Sequence, residues 1–379
     1  MIGTMNPELK PFEELAASFA EKELAKNIEE HDRYPFGELF TDVIEKAFSV
    51  GLLGVTLPED LGGIGQGIST LCLILERISQ VDSSPSGIIF TNTLSQELMI
   101  ASGSRDLLRE TLSGANTAYD FLIAACSFSN PAEIQHMPVA QKRGSAYHLT
   151  GNLDYVVLGG IASHALVPAY RADRSRYSFF LVDLSDTGIE KSGAVFSLGL
   201  HACPAVDMVF DGAKARLVGE EGKGPTYFAD VSKKMHIAAA AMSTGIMKGS
   251  FKEALSYSKD RFQGGCAIIN WSEVSMILAN MAVKLNVGEL CVAQACQALE
   301  QSTHDWQHHC TAAALHVHEL ACDAVTDGVQ VLGGNGYMKD YGQEKRFRDA
   351  RQVQALLGIA PLKKISLIRD ISGFEELCG

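Results

Sequence analysis

The chain has 379 residues, 46% hydrophobic and 20% charged, a globular composition whose length predicts two or three domains at roughly 100 to 200 residues each. Its 45 acidic against 32 basic residues give a formal net charge of -13, which excludes nucleic acid or an anionic membrane as the main partner. The nine cysteines include no Cys-x-x-Cys pair, which excludes a zinc ribbon and a disulfide framework and predicts reduced thiols.

The N-terminus shows neither a basic-then-apolar export leader nor an Arg-rich organelle leader, and no eighteen-residue window is uninterruptedly apolar. The expectation is a soluble, cytoplasmic chain without membrane insertion. From Pro7 to about Tyr119 apolar residues recur at three and four, as in Phe12, Leu15, Ala16, Phe19 and then Val43, Ile44, Ala47, Phe48. That period predicts an N-terminal α-helical domain over 1–119, broken at Leu57-Pro58-Glu59-Asp60-Leu61-Gly62-Gly63. Over 120–224 the pattern shifts to short β-branched and aromatic runs at 146–149, 155–158, 165–167, 177–182 and 206–210. With Gly151-Asn152 and Asp211-Gly212 as expected turns, this predicts a middle domain of antiparallel β-structure. Helical periodicity returns over 225–379 in segments 234–261, 271–301 and 311–332, long enough to predict a helical bundle. The fold class expected is mainly α with a central β domain.

The run Gln330-Val331-Leu332-Gly333-Gly334-Asn335-Gly336-Tyr337, followed by Glu344-Lys345 and Arg348-Asp349-Ala350, resembles two sequence blocks of the acyl-CoA dehydrogenase family. Further stretches agree in order: 31–36 with 51–63, then 199–210 with 219–224, and Tyr257-Ser258-Lys259-Asp260-Arg261-Phe262-Gln263-Gly264-Gly265. The resemblance spans essentially the whole chain. It implies an N-terminal helical domain, a middle antiparallel β-barrel and a C-terminal four-helix bundle, assembled as a homo- or heterotetramer with FAD held between protomers. It also implies an acyl-CoA substrate that loses its α-proton to a carboxylate and its β-hydrogen as hydride to the flavin, with electrons passed to an electron-transfer flavoprotein.

The resemblance places Arg261 on the FAD diphosphate of a neighbouring protomer, where a forked guanidinium bonds two oxygens at once. Gln263 belongs to the same block. Gln330, Val331, Gly333 and Gly334 fall on the adenine-ribose side, and Ile268 and Trp271 among flavin-side contacts. The ordinary alternatives are a solvated charge for Arg261, a helix C-cap for the glycines and core packing for the apolar pair.

The flavin-facing segment of the same protomer has drifted: Cys126 to Glu133 replaces Thr-Glu-Pro-x-Ala-Gly-Ser-Asp, leaving Ser127 as a substitute hydroxyl, and Tyr155-Val156-Val157 replaces Trp-Ile-Thr. Pro361 stands at a cofactor-contacting position, and Lys233 and His236 stand where the channel usually has an acid and an arginine. The two family positions for the catalytic glutamate hold Leu357 and Phe262, neither of which accepts a proton. Glu97 reads as an exposed helix charge, and His304, His308 and His309 as a solvated face. Two functions follow: an FAD-dependent acyl-CoA dehydrogenase-like oxidoreductase, or a non-catalytic subunit that shares its cofactor with a homologous partner.

Overall fold

The computed structural model describes residues 7–35, 38–144, 146–171 and 176–373. The N-terminal third is helical, with α1 (Lys10–Phe19), α2 (Glu38–Ser49), α3 (Ile68–Ser79), α4 (Ser83–Ala101) and α5 (Arg105–Leu112) as its main elements. Helix α4 starts at Asp82, whose carboxylate accepts the Ser84 N–H at 2.9 Å, the usual N-cap arrangement. Almost every residue of α4 is buried, polar ones included, so its side chains must find internal partners. Asn92 does so by donating to the Leu53 carbonyl and accepting from the Ile123 N–H, which joins the helical region to the first strand.

Seven strands follow: β1 (Ile123–Ala125), β2 (Val139–Arg143), β3 (Ala146–Val157), β4 (His164–Arg171), β5 (Tyr177–Asp183), β6 (Ile189–Lys191) and β7 (Ala205–Val218). Pairings β1–β4 and β3–β7 close the sheet on itself. Most pairs are antiparallel as expected, while β1 and β2 each run parallel to β4. The two expected turns are not turns. Gly151-Asn152 and Asp211-Gly212 lie inside β3 and β7, with Gly151 opposite Phe210 and Asn152 opposite Val209. Gly212, at φ +68, falls at the shift in register between Leu149 and Thr150, so these glycines bend two long strands without ending them.

The remainder is helical apart from a short hairpin pairing Phe262–Gln263 with Cys266–Ala267: α6 (Gly224–Asp260), α7 (Ser272–Glu300), α8 (Trp306–Leu332), α9 (Gln343–Val353) and α10 (Ala360–Ser372). The first three pack along one another, and α6 also lies against α3. A Cβ at Gly245 would come within 2.3 Å of the Glu76 carbonyl oxygen, so glycine lets α6 touch the α3 backbone directly. By length and composition α7 is long and apolar enough to cross a membrane. It is the outer helix of the bundle, and Met276, Val283 and Leu290, spaced seven apart on one face, are 66%, 62% and 55% exposed.

A buried ionic cluster ties the three regions together. The Lys345 amine, on α9, lies 2.8 Å from Asp82 at the start of α4 and 2.7 Å from Asp349. The second oxygen of Asp349 accepts the Leu200 N–H at 2.8 Å, reaching the loop before β7. Burial works to lower the lysine's pKa, but Asp349 and Asp82 outweigh it and hold the amine protonated well above its ordinary range. Beside it, Arg348 bonds Asp32 and Glu344, both at 2.6 Å. Removing one member of a buried pair strands the others, so Lys345→Met is expected to cost about 3 to 5 kcal/mol, measured as a loss in denaturant midpoint.

Candidate functional site

The C-terminal end of α6 and the C-terminal end of α8 meet at an open dish of about 630 Å³. Its lining includes Arg261, Gln263, Ile268, Trp271, Gln330, Val331, Gly333 and Gly334, so eight residues from two distant sequence blocks converge on one surface. Arg261 follows the last turn of α6, where its N–H caps the Tyr257 carbonyl at 2.9 Å. No carboxylate among the described residues pairs with its guanidinium, which leaves five donors for an external anion. The hairpin after it is pinned by the Trp271 indole N–H, which donates to the Gln263 carbonyl at 3.2 Å. Gly264, at φ +67, lets that indole pack; a Cβ there would sit 2.8 Å from the ring.

On the facing side, Gly333 caps α8 at φ +56, and neither it nor Gly334 has an atom within 4 Å of where a Cβ would be. The backbone is therefore bare toward the dish, which suits close approach of a ligand. Ile268 and Val331 are 9% and 6% exposed and line the dish, and Val331 also joins the small core beside it with Leu278, Met281 and Leu332. Tyr257, read in the sequence only as the start of the Arg261 block and given no role, also lines the dish and accepts from the Asn335 amide at 3.0 Å. Only its place one turn before Arg261 signals it in the sequence.

Ser127 and Tyr155 lie elsewhere, against the α9–α10 connection. Ser127 is fully buried, its hydroxyl 2.8 Å from that of Thr91 and its carbonyl accepting the Leu357 N–H at 2.8 Å. The Tyr155 hydroxyl accepts from the Gln352 amide at 2.8 Å. Both polar groups are thus satisfied within the chain. Burial, with Asp154 adding, pushes the neighbouring Cys126 thiol up to about 12, so no thiolate nucleophile forms there at neutral pH.

A second, smaller cavity of about 170 Å³ opens between the 3-10 turn Pro131–Glu133 and helices α6, α8 and α10. Lys233, His236, Leu357, Glu133 and Lys363 line it. Lys233 reaches Asp370 at 2.9 Å, and His236 contacts the Thr311 hydroxyl at 3.3 Å. Burial, aided by Lys363 and Lys233, drives His236 down to about 3, so it stays a neutral imidazole. Lys363 donates to the Leu356 carbonyl at 2.5 Å, and burial brings its pKa down to about 8. In the sequence Glu133 stands out only as the last residue of the drifted flavin-facing block, without a role of its own, and Lys363, which belongs to no motif, is not singled out. The Asn130-Pro131 turn start is a second local cue to Glu133.

Leu357 faces this cavity at φ +62, a strained backbone for a branched side chain, and Gly358 follows at φ +107. Phe262 is 70% exposed at the dish end of α6, remote in sequence from the cavity lining. Glu97 departs from its expected exposed state. It is 8% exposed and held by the Thr56 hydroxyl at 2.7 Å and the Lys234 amine at 2.9 Å, because α4 is buried all round. His309 faces solvent, 3.2 Å from Asp305, consistent with a solvated helix end. Pro361 sits in the first turn of α10, where a missing N–H breaks no helical bond.

Residues 6–117 match the family described as acyl-CoA dehydrogenase, N-terminal domain, and residues 222–360 match acyl-CoA dehydrogenase, C-terminal domain. Cyclohex-1-ene-1-carbonyl-CoA dehydrogenase of Syntrophus aciditrophicus is 27% identical over 97% of this chain and 91% of its own. Subunit CarC of the caffeyl-CoA reductase-Etf complex of Acetobacterium woodii is 26% identical over 90% of this chain and 92% of its own. The fold is shared with butyryl-CoA dehydrogenase from Megasphaera elsdenii at a TM-score of 0.87, 22% identity, and coverage of 96% and 98%.

Two measurements probe this geometry. With an unpaired guanidinium as the main anion ligand, Arg261→Ala should weaken binding of adenosine diphosphate about 10- to 100-fold by calorimetry. Lys363 has a lower pKa folded than unfolded, so the unfolded state binds more protons between about 8 and 10.5. Wild-type stability relative to Lys363→Met should accordingly stay flat below pH 8 and rise by about 3 kcal/mol toward pH 10.5, read from urea titrations.

Proposed function

The chain belongs to the acyl-CoA dehydrogenase family, and from that premise we propose that it is an FAD-dependent oxidoreductase acting on the acyl group of a coenzyme A thioester and delivering electrons to an electron-transfer flavoprotein. The observation that carries this is the convergence of Arg261, Gln330, Gly333 and Gly334 on one dish with an unpaired cation and bare backbone. Those features fit the diphosphate and adenine side of FAD. The Arg261 fork would hold the diphosphate, the two glycines would admit the ribose against the main chain, and Ile268 and Trp271 would offer apolar contact. Bound FAD supplies the acceptor for hydride.

The smaller cavity is where the acyl group would lie. Its volume is close to that of an engineered cavity that holds one benzene ring, which favours a short or cyclic acyl group over a long chain. A neutral His236 adds a hydrogen-bonding edge without a second buried charge. The name of the Syntrophus relative, a cyclohexene-carbonyl-CoA dehydrogenase, agrees with a compact acyl group.

A second reading is supported by the engagement of Ser127 and Tyr155 with Leu357 and Gln352, which leaves the flavin-facing segment satisfied without a cofactor. In that reading the chain is a non-catalytic subunit of a heteromer, lending its dish to the flavin of a homologous partner. The apolar stripe on α7, which begins one turn after Trp271, would be the covered face. The flavin-to-protomer ratio of the chain purified alone separates the two. The oxidoreductase reading expects a ratio near unity and bleaching of the flavin band by a short acyl-CoA. A colourless chain that gains flavin only when a homologous subunit is added would establish the second reading instead.

A further inference from the structure

The family's two positions for a proton-accepting glutamate are apolar here, and the cavity beside one of them holds a carboxylate from a different part of the chain. Glu133 ends the 3-10 turn between β1 and β2 and lines the same cavity as Leu357, its carboxylate set against the turn that follows Leu357. Its two carboxylate oxygens lie 3.0 and 3.1 Å from the point where a Cβ on Gly358 would be, so glycine at 358 is what admits them. The backbone turn Leu357-Gly358, at φ +62 and +107, is the strained conformation that would aim a side chain at the acyl group. In this chain it presents a methyl-bearing side chain and opens, at the next residue, a gap that the foreign carboxylate fills.

We propose that Glu133 is the proton-accepting carboxylate of the acyl cavity, standing in from the β domain for the missing glutamate at 357. This rests on the reading that the cavity binds the acyl group of a thioester. The step is a proton transfer without redox change. The α C–H bond breaks, the proton goes to a Glu133 oxygen, and the electron pair remains on the thioester as its enolate. Burial raises the Glu133 pKa, opposed by the Ile359 N–H and by Lys363, which shifts the group toward the range where a carboxylate serves as a base near neutral pH. Lys363, its amine held by the Leu356 carbonyl, keeps a positive or exchangeable group on the same wall and helps an anionic intermediate tolerate the buried site.

The test is exchange of the α-hydrogens of butyryl-CoA for deuterium in heavy water, followed by mass spectrometry on the protein as purified, with binding of butyryl-CoA measured by calorimetry alongside. This readout needs no turnover of the flavin. Wild-type protein should bind and exchange. Glu133→Gln should bind with similar affinity and exchange at least about 100-fold more slowly, the scale of losing a general base. Glu133→Asp, which retains the charge at shorter reach, should fall between them, and near-native circular dichroism of both variants separates loss of a base from loss of fold. Undiminished exchange in folded Glu133→Gln overturns the assignment while leaving the acyl-CoA reading intact. Binding without exchange in the wild type also overturns it, and points to the cofactor-lending subunit. No binding by the wild type removes the acyl-CoA reading beneath it.

Discussion

A single lysine in a place without water organises much of this molecule. Lys345 is 4% exposed, and desolvating an ammonium costs several kcal/mol unless close carboxylates offset it. Asp82 and Asp349 do so, and each also holds backbone elsewhere, since Asp82 caps the central helix α4 and Asp349 fixes the Leu200 backbone. The charge is thus a registration pin for three segments that are far apart in sequence. Ionic pins of this kind add little to stability compared with an apolar core, but they penalise any arrangement that separates the partners. Because α9 leads directly into the connection bearing Leu357, Gly358 and Ile359, the pin also sets where one wall of the smaller cavity stands.

The two concavities differ in how their polar groups are satisfied. In the dish, Arg261 has no internal acid among the described residues and the glycines at 333 and 334 face open space, so the capacity to bind is left for a ligand. In the cavity and the neighbouring flavin-facing segment, nearly every polar group has an internal partner: Lys233 with Asp370, His236 with Thr311, Ser127 with Thr91, Tyr155 with Gln352. These positions therefore hold no orphaned donors, and their polar groups are satisfied by contacts within the chain, which keeps this side folded without a ligand.

The helical thirds were legible because their apolar residues keep the 3.6-residue period over long stretches. The long C-terminal segments foreseen at 234–261, 271–301 and 311–332 match α6, α7 and α8 to within about one to three turns. The sheet was less legible in detail. Gly151-Asn152 and Asp211-Gly212 have turn chemistry, and only the long pairing of β3 with β7 carries both through as strand, with Gly212 as the extra residue of a bulge. The dish was read residue by residue from motif positions, and those residues do come together. Glu133 was visible only as the end of a drifted block and Lys363 not at all, because the cavity that joins them is assembled from a turn, two long helices and the last helix, with no spacing in sequence that betrays it. Glu97 was misjudged for a related reason: local polarity on α4 says exposure, while three-dimensional burial on all sides says otherwise.

One helix carries both concavities. His236 and Arg261 sit on or at the end of α6, about seven turns apart, on the order of 38 Å at the helical rise. The backbone contact at Gly245, between them, leaves α6 no freedom to slide and shorten that span. A helix is in this sense a ruler, and it fixes the separation of the two concavities. If neighbouring copies supply the opposite ends for each ligand, the working unit is a pair and the chain's defects become separable in genetic terms. A copy damaged at its dish and a copy damaged at its cavity, each inert with its own kind, would complement when mixed, because every mixed pair retains one site built from two intact halves.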